Sequence, residues 1–352
     1  MKFYINYSLY YLANKFSKIF CLIEDFENFL IKKKVNNIIE KPIYVCGCPR
    51  SGTTIITHLL SKSSILGFFQ YRDVPFLNIL YSWSFINNIF YYGLRSSPRP
   101  HKDKIEINAN SPDSFEEFFW SKNIEDYEKN FSKKIDQNTD NKTVVEKYKF
   151  LISKVLYTRK KKRYISKGNY NIFRLKFLKK IFPDAKIIIC IRNPIDTVKS
   201  MVKVHKIFCE EGKKDKFFDN KLHFLCHFEF GNKRKAFKIN KENFDRTNHL
   251  WTQKKDFEGY LLQWIDLHEY LMNEVFSDEE LKKNIFLIDN SSIYKHSSSL
   301  SKLFDFCELQ NNDDKQQELN DEKQIFEHRL DDSLELKKAF DIYEKLKKLK
   351  IN

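Results

Sequence analysis

The sequence predicts an α/β protein built around a central parallel sheet. Two observations lead to this class: short apolar runs suited to buried strands occur at four places, and each run is followed by a turn and a helix-like stripe of apolar residues. Such β-loop-α units form parallel sheets with right-handed crossovers, and ligands bind beyond the carboxyl ends of the strands. The predicted strands are Ile43–Cys46, Tyr164–Ser166, Lys186–Ile191 and Ile285–Ile288.

Length and composition indicate a globular protein with a sizeable core. The chain has 352 residues, of which 42% are hydrophobic and 33 are Phe, and this excludes a disordered chain despite the many charges. The length allows one large α/β domain with additions or two modest domains. The net charge of +15 fits an anionic partner, but it also fits a general enrichment in Lys, so charge alone selects neither explanation.

Three segments flank or interrupt the α/β domain, which is predicted to span residues 41–309. Residues 65–160 predict a largely helical insertion, and residues 310–352 predict a polar tail that ends in a peripheral, charged helix. Residues 1–40 predict a helical prefix that packs on the domain. Its apolar positions at helical spacing are Leu22, Phe26, Phe29 and Leu30.

Two features of the insertion allow more specific predictions. Ser111 as N-cap, Pro112 at the first helical position and the acidic Asp113 shortly after it predict that a helix begins there. The stretch from Val74 to Leu94 has 21 residues without a charge, which is near the length that spans a bilayer. Its proline and polar residues favour a helix that is buried or lines the acceptor site over contact with a membrane.

The cysteines and the amino terminus predict a cytoplasmic protein. The seven Cys residues are odd in number and scattered, which favours reduced thiols and no disulfide framework. They show no paired-ligand spacing, so no metal site is expected. The amino terminus lacks an apolar region followed by a cleavage site, and no secretory signal is therefore predicted.

The loop that follows the first strand has the geometry of an anion cradle. Gly47 to Thr54 fits G-x-x-x-x-G followed by two threonines, so that backbone N–H groups converge on a phosphate at the positive end of the next helix. A nucleoside triphosphatase needs a lysine directly after the second glycine, but this chain has Thr53 there. The cation is instead Arg50, which can form paired bonds to an oxyanion.

A second loop follows the buried strand Lys186–Ile191 and indicates a second anion site. Arg192 directly follows this strand. Phosphoryl-transfer enzymes often place a magnesium-binding acid at such a strand end. Asn193 and Pro194 predict the start of a helix, and Ser200 lies two turns along it, roughly 10 Å by helical rise. Two anion sites at neighbouring strand ends fit a ligand that carries phosphate groups at two ends.

The two loops together resemble those of the sulfotransferases. "PRSGTT" and "RNPIDTVKS" are similar to the 5′-phosphosulfate loop and the 3′-phosphate motif of that family, and the intervening "YRDVPF", "NSPDSFEEFFW" and "HFEFG" resemble a bacterial branch. The resemblance covers residues 42–309. It implies a three-layer P-loop (NTPase-like) α/β fold with a central parallel sheet, a helical insertion on the acceptor side and helical termini.

The resemblance also implies a cofactor and its binding residues. The donor would be 3′-phosphoadenosine 5′-phosphosulfate, with adenosine 3′,5′-bisphosphate as product and no metal. The 5′-phosphosulfate would bind to Arg50, Ser51, Gly52, Thr53 and Thr54, and the 3′-phosphate to Arg192 and Ser200. Similar proteins often carry Tyr-Glu-Asp after the late strand, where this chain has Asp289, Asn290 and Ser291, so the acceptor side departs from the family pattern.

The catalytic residues beyond Arg50 are less narrowly predicted. The sequence leaves the base open: Asp73 lies near where some relatives place a Glu, and the alternative is a salt bridge with a neighbouring arginine. His101, His205 and His227 are the other candidates, because His is the commonest base near neutral pH. Lys167, at the end of a predicted strand, would steady the transferring group.

Two other functions remain open at this level. A P-loop kinase would need magnesium, whereas the sulfotransferase would work in a chelator. A non-catalytic basic protein would bind nucleic acid or a membrane surface in a salt-sensitive way, but the Lys/Arg runs lack interleaved aromatic residues, so no nucleic-acid partner is expected. The expected partner is a small-molecule, lipid or glycan acceptor; its identity and the oligomeric state cannot be predicted.

Overall fold

A five-stranded parallel sheet forms the centre of this protein, which is described by a computed structural model. Its spatial order is β2-β5-β1-β6-β7, and every pair of neighbours runs parallel. The predicted α/β class is therefore confirmed. The strands in chain order are β1 (Ile43–Gly47), β2 (Leu66–Gly67), β3 (Ser97–Pro98), β4 (Glu106–Ile107), β5 (Arg163–Lys167), β6 (Lys186–Ile191) and β7 (Ile285–Asp289).

The structure describes residues 7–35, 38–91, 96–99, 101, 105–132, 134–135, 141–295, 297–310 and 333–349. The short β3 and β4 pair antiparallel, apart from the main sheet. The helices within these residues are α1 (Tyr7–Lys15), α2 (Ser17–Ile31), α3 (Thr53–Ser61), α4 (Leu80–Tyr91), α5 (Glu117–Asn123), α6 (Tyr127–Asn130), α7 (Lys142–Arg159), α8 (Leu175–Ile181), α9 (Pro194–Lys214), α10 (Lys216–Phe224), α11 (Lys241–Thr252), α12 (Asp256–Tyr270), α13 (Glu279–Lys282), α14 (Asn290–Lys295), α15 (Ser297–Phe306) and α16 (Leu334–Lys348).

Helices cover both faces of the sheet, which gives three layers. Tyr44 and Cys46 of β1 face a large core that includes α7, α8, α9 and α12. Ile43 and Val45 point the other way and pack against α3 and α15. Because both faces are buried, β1 and β6 are nearly continuous apolar runs without polar alternation, as expected for a parallel sheet.

The register brings the carboxyl ends of three strands to the same edge of the sheet. Val45 of β1 lies beside Lys167 of β5 on one side and beside Ile188 of β6 on the other, and Gly47 lies beside Cys190. The loops that follow β1, β5 and β6 therefore emerge next to one another. This edge is where parallel sheets bind their ligands.

The predicted helix start at Ser111 and Pro112 is wrong. The segment is extended there, because Pro112 forms a bridge with Gln70 and the carbonyl of Ser111 accepts the N–H of Tyr71. Helix α5 begins at Glu117 instead. The pairing between the two loops overrides the local capping signals. It places Asp113 at the carboxyl edge of the sheet.

The two glutamates that follow Asp113 are buried anchors. Glu116 accepts hydrogen bonds from Tyr148 at 2.9 Å and Tyr164 at 2.8 Å, while Glu117 forms a paired ion contact with Arg174 at 2.8 and 2.9 Å. A buried carboxylate is tolerated only when it is paired or fully hydrogen-bonded, as these two are. They tie the insertion to β5 and to the segment before α8.

The helical prefix packs with the opposite face from the one predicted. Leu22, Phe26, Phe29 and Leu30 are exposed, and Glu27 is buried. Glu27 accepts the N–H groups of Tyr81 and Ser82 in the first turn of α4 and pairs with the equally buried Lys154 at 3.1 Å. This polar anchor turns the apolar stripe of α2 away from the domain.

The uncharged stretch from Val74 divides into a buried and an exposed part. Val74, Leu77 and Trp83 lie in the core, whereas Phe85 and several later apolar residues of α4 are exposed; residues 92–94 lie outside the described residues. The stretch is therefore not one buried helix, because residues 74–79 are mostly buried but precede α4, and the second half of α4 is largely exposed. No helix among the described residues has both the length and the apolar character needed to cross a bilayer.

The last helix is part of the core and is not peripheral as predicted. Residues 311–332 lie outside the described residues, but α16 buries Leu336, Ala339 and Leu346 against α12 and α9. Its Tyr343 hydroxyl donates to Asp289 Oδ2 at the end of β7, at 2.8 Å. The charged residues that suggested a peripheral helix occupy only its outer face.

Candidate active site

The loop between β1 and α3 has an unusual backbone that opens it toward a ligand. Arg50 has φ of 72° and Gly52 has φ of 105°, both in the left-handed region. A non-glycine residue such as Arg50 rarely adopts this conformation, and such residues cluster at functional loops. A Cβ on Gly52 would meet Asn290 Nδ2 at 2.3 Å, so only glycine fits between the loop and the start of α14.

The polar groups of this loop fit a bound oxyanion. No described residue accepts the N–H groups of Gly52, Thr53 and Thr54, which lie at the positive end of α3. The Ser51 hydroxyl is buried and has no hydrogen-bond partner among the described residues. Because buried polar groups are normally satisfied, this set of donors fits an oxyanion.

Direct contacts join the two predicted anion loops. Arg50 Nε donates to Ser200 Oγ at 3.0 Å, and Arg192 donates to the carbonyl of Arg50 at 3.3 Å. Asn193 caps α9 through the N–H groups of Ile195 and Asp196, and this fixes where the helix presents Ser200. One ligand could therefore contact both loops.

A third strand end is connected to the first loop by a hydrogen-bond chain. Thr53 Oγ1 donates to Asn169 Oδ1 at 3.3 Å, and Asn169 Nδ2 donates to the buried Glu229 at 3.1 Å. Asn169 follows β5, and Glu229 belongs to the "HFEFG" segment. The chain holds the start of α3 against the loop after β5.

Lys167 at the end of β5 lies in a buried ion pair that the sequence did not predict. Its Nζ donates to Asp113 Oδ1 at 2.6 Å, and Asp113 also contacts the hydroxyl of Tyr71 and Arg99 Nη2, the latter at 3.9 Å. Burial opposes ionisation of Asp113, but Lys167 and Arg99 outweigh it and hold its pKa well below the usual range. Asp113 is therefore a fixed negative charge and not a base at neutral pH.

His101 is a candidate base whose pKa is influenced by the charge of Arg50. Burial, followed by the charges of Arg99 and Arg50, lowers the pKa of His101 well below its usual value. The ring is therefore neutral near pH 7, as a base must be. Its Nδ1 is buried without a hydrogen-bond partner among the described residues, and its ring packs on Phe208 at 5.0 Å.

Two other histidines lie near the same charges. Burial lowers the pKa of His58 to about 4, with the charge of Asp113 opposing and those of Arg99 and Lys167 adding to the effect. Burial also lowers the pKa of His227, which is influenced by Glu229, Asp113, Lys167 and Arg99.

Asp73 and His205 occupy other environments. Asp73 has no exposed surface and forms an ion pair with Arg159, although burial still raises its pKa. His205 lies 3.9 Å from Asp256 and packs on Tyr260; burial, with Arg234 adding, lowers its pKa to about 4. Asp73 is therefore held in a buried ion pair, and His205 is held by its contacts with Asp256 and Tyr260.

The residues that the sequence analysis missed share one property. Asp113 was interpreted as part of a helix start, and His58 was not considered, although it follows the first loop by one and a half turns of α3. Asp113 meets Lys167 through a tertiary contact across 54 residues, and the charges of Asp113, Arg99 and Lys167 influence the pKa of His58. The signal that could have identified these residues is their position near the carboxyl ends of neighbouring strands, where parallel sheets bind ligands.

The fold is a P-loop-like α/β fold in which the loops that follow β1 and β6 contact each other. A sequence profile described as "Sulfotransferase family" matches residues 42–221, just over half of the chain. This chain belongs to the sulfotransferase family. The matched range includes Arg50, Arg192 and Ser200.

One solved sulfotransferase shows the same fold. The sulfotransferase STF9 from Mycobacterium avium superposes with a TM-score of 0.50 at 15% identity, covering 93% of this chain and 82% of that one. STF1 from Mycobacterium tuberculosis H37Rv aligns with a TM-score of 0.48 at 12% identity (84% and 75% covered), and the sulfotransferase domain of the curacin biosynthetic pathway with 0.37 at 13% (78% and 76%). No curated protein sequence matches this chain.

Proposed function

We propose that this protein transfers the sulfuryl group of 3′-phosphoadenosine 5′-phosphosulfate to a hydroxyl or amine of an acceptor. The contact between Arg50 and Ser200 carries this proposal, because it unites the loop for a 5′-phosphosulfate with the motif for a 3′-phosphate. The donor has anionic groups at both positions, whereas a nucleoside triphosphate has them at one. Membership of the sulfotransferase family supports the reaction class.

The donor-binding roles follow from the positions of the side chains. The N–H groups of residues 52–54 and the unpartnered hydroxyl of Ser51 would hold the 5′-phosphosulfate, while Arg192 and Ser200 would hold the 3′-phosphate. Arg50 contacts both loops and is the cation best placed for charge on the leaving phosphate. Donors aimed at charge that grows in the transition state contribute most to such reactions.

The donor supplies an activated sulfuryl group, and the transfer forms an acceptor O–S bond while the bond from sulfur to the phosphate oxygen breaks. His101 accepts the proton of the acceptor hydroxyl, because its ring is neutral and its Nδ1 has no competing partner among the described residues. Lys167, held by Asp113, adds positive charge at the edge of β5 beside the first loop. In-line transfer of this kind depends on positioning and charge neutralisation.

We place the reaction in the cytoplasm, and we leave the acceptor as a small molecule, lipid or glycan. The seven cysteines are all free in the structure, which supports a reducing compartment. A polar cleft of about 340 Å³ opens beside His58, Gln70 and Ser111, next to the segment that carries Asp113. Its lining is too general to select one acceptor.

The reaction can be tested with radiolabelled donor. Purified protein is incubated with ³⁵S-labelled 3′-phosphoadenosine 5′-phosphosulfate in a chelator, with phenolic, lipid and carbohydrate acceptors in separate reactions. We expect label in at least one acceptor and none with Arg50→Ala. Transfer of ³²P from ATP that requires magnesium, with no sulfuryl transfer, would replace the proposal by the kinase alternative.

A further inference from the structure

Helices α1 and α2 form an almost continuous amphipathic helix with its apolar face exposed. The N–H of Phe16 bonds to Leu12 and the N–H of Phe20 bonds to Phe16, so the helical ladder continues across the junction. The exposed apolar residues recur at spacings of three and four, for example Ile19, Leu22, Phe26 and Phe29. Phe29 and Leu22 are 76% and 69% exposed.

The orientation of this face is built into the fold. Glu27 lies on the opposite side of α2, where it caps the first turn of α4 and pairs with Lys154. Phe20 on that inner side packs on Phe76 at 4.7 Å. Because the inner side has its own polar and aromatic partners, rotating the helix to bury Leu22 and Phe29 would break a buried ion pair.

The second half of α4 carries exposed apolar residues of its own. Phe76 packs on Trp83 at 4.6 Å, and Trp83 stacks on Phe90 at 5.3 Å, so one aromatic row leads from the inner side of α2 along α4. Phe85 and Ile89 on α4 are exposed, Ile89 by 75%. We call the exposed apolar residues of α1 and α2 the N-terminal apolar surface; exposed apolar surfaces of this kind mark interaction sites.

Lysines border this surface at both ends of the long helix. Lys15 and Lys18 lie near its beginning, and Lys32, Lys33 and Lys34 follow its last turn, all exposed. Lys15 Nζ lies over the rings of Tyr11 and Phe16, at 5.3 and 5.7 Å from their centroids. Aromatic and aliphatic side chains with flanking lysines are typical of helices that lie in the interface of a membrane, where lysine stems extend toward the head groups.

We propose that the N-terminal apolar surface docks the protein onto the surface of an anionic phospholipid bilayer, with α1 and α2 lying along it. Charge complementarity selects this partner over a second copy of the chain. A second copy seated on the same surface would bring an identical lysine-rich border, in a protein that already carries a net charge of +15. An anionic bilayer is attracted by the same lysines and absorbs the apolar side chains between them.

Vesicle co-sedimentation of the full-length protein tests the proposal. We expect binding to vesicles of phosphatidylcholine with phosphatidylglycerol and much weaker binding to phosphatidylcholine alone. The triple variant Leu22→Ser, Phe26→Ser, Phe29→Ser should lose at least about tenfold in partitioning, because exposed side chains supply the apolar contact. Replacing Lys32, Lys33 and Lys34 by Gln should lose about fivefold for each lysine.

A matched control separates this surface from general attraction by a basic protein. Leu22→Ser and Leu334→Ser remove the same side chain from exposed helical positions, but Leu334 begins α16 and is 80% exposed away from α1 and α2. Only Leu22→Ser should weaken binding, while circular dichroism shows both variants folded. Equal binding by both, no binding of the wild-type protein to anionic vesicles, or a dimer that these serine substitutions dissociate would overturn the proposal.

Discussion

Arg50 on the loop after β1 donates a hydrogen bond to Ser200 on α9, across 150 residues of sequence and 3.0 Å of space. The contact exists because β1 and β6 are neighbours in register, so that the loops following them emerge side by side. It turns two separate anion motifs into one extended site. The predictions below follow from this site and from the elements that hold it.

Arg50→Ala should nearly abolish transfer. The side chain joins both loops, and removal of one such donor typically costs about 10²–10³-fold in turnover. The measurement is the rate of transfer to an acceptor that the wild-type protein uses. Arg50→Lys should recover little, because an ammonium cannot make the paired contacts of a guanidinium. Near-normal turnover in a folded Arg50→Ala variant would remove Arg50 from the mechanism.

His101→Gln should lower kcat by about 10²-fold or more without weakening donor binding. The pKa of His101 is lowered in the folded protein, so the base is already deprotonated at neutral pH. The wild-type rate should therefore stay high as pH falls past the ordinary histidine value of about 6.5, and decline only below it. His205→Gln is the matched control, because His205 lies in a separate environment. This variant should keep the wild-type rate and the same decline of that rate at low pH.

Gly52→Ala should weaken donor binding. Its Cβ would meet Asn290 Nδ2 at 2.3 Å, and φ of 105° is unfavourable for any other residue. Asn290→Ala in the same chain removes the clash but not the backbone strain, so the double variant should recover only part of the affinity. Calorimetry with adenosine 3′,5′-bisphosphate measures the affinities of the single and the double variant. Unchanged affinity in the Gly52→Ala variant would contradict the loop geometry.

Glu27→Ala should destabilise the protein by about 3–5 kcal/mol, because it leaves Lys154 as an unpaired buried charge. Urea unfolding gives the free energy. Glu27→Ala with Lys154→Met should be closer to wild type than Glu27→Ala alone, since both charges are then gone. A cost below about 1 kcal/mol for the single variant would show that the buried pair does not anchor α2.

Acid should destabilise the fold through its buried neutral histidines. Burial lowers the pKa of His268 to about 4, whereas the unfolded chain binds a proton near the ordinary value of about 6.5. The contribution of His268 to the free energy of unfolding is therefore complete above about pH 6.5 and is lost as the pH falls toward 4. The free energy of unfolding, measured against pH, should fall less steeply in His268→Gln, and an unchanged slope would contradict this.

The strands and the donor loops could be predicted from the sequence because their signals are local. β6 has the predicted bounds, and β1, β5 and β7 differ by one residue at an end or at both. A strand buried on both faces is largely apolar, as β1 and β6 are, and a phosphate loop follows such a strand within a few residues. The two-residue edge strand β2 carries no such signal and was missed.

The remaining errors come from tertiary contacts that local patterns do not contain. Ser111 and Pro112 have the right chemistry to begin a helix, but pairing with Gln70 keeps the segment extended. The apolar stripe of α2 predicts a buried face, but Glu27 finds a buried partner in Lys154, more than 120 residues away. The pairing of Asp113 with Lys167 could not be predicted either, because it is also a tertiary contact between distant parts of the sequence.

The most direct test of the central claim is calorimetric titration with adenosine 3′,5′-bisphosphate in the presence of a chelator. The account predicts metal-independent binding that is at least about tenfold tighter than binding of adenosine 5′-monophosphate, since a charge-assisted contact to the 3′-phosphate is lost in the latter. Arg192→Ala should reduce the first affinity to the level of the second. Equal affinity for the two nucleotides in the wild-type protein, or no binding without magnesium, would contradict a site built for a donor with phosphates at two ends.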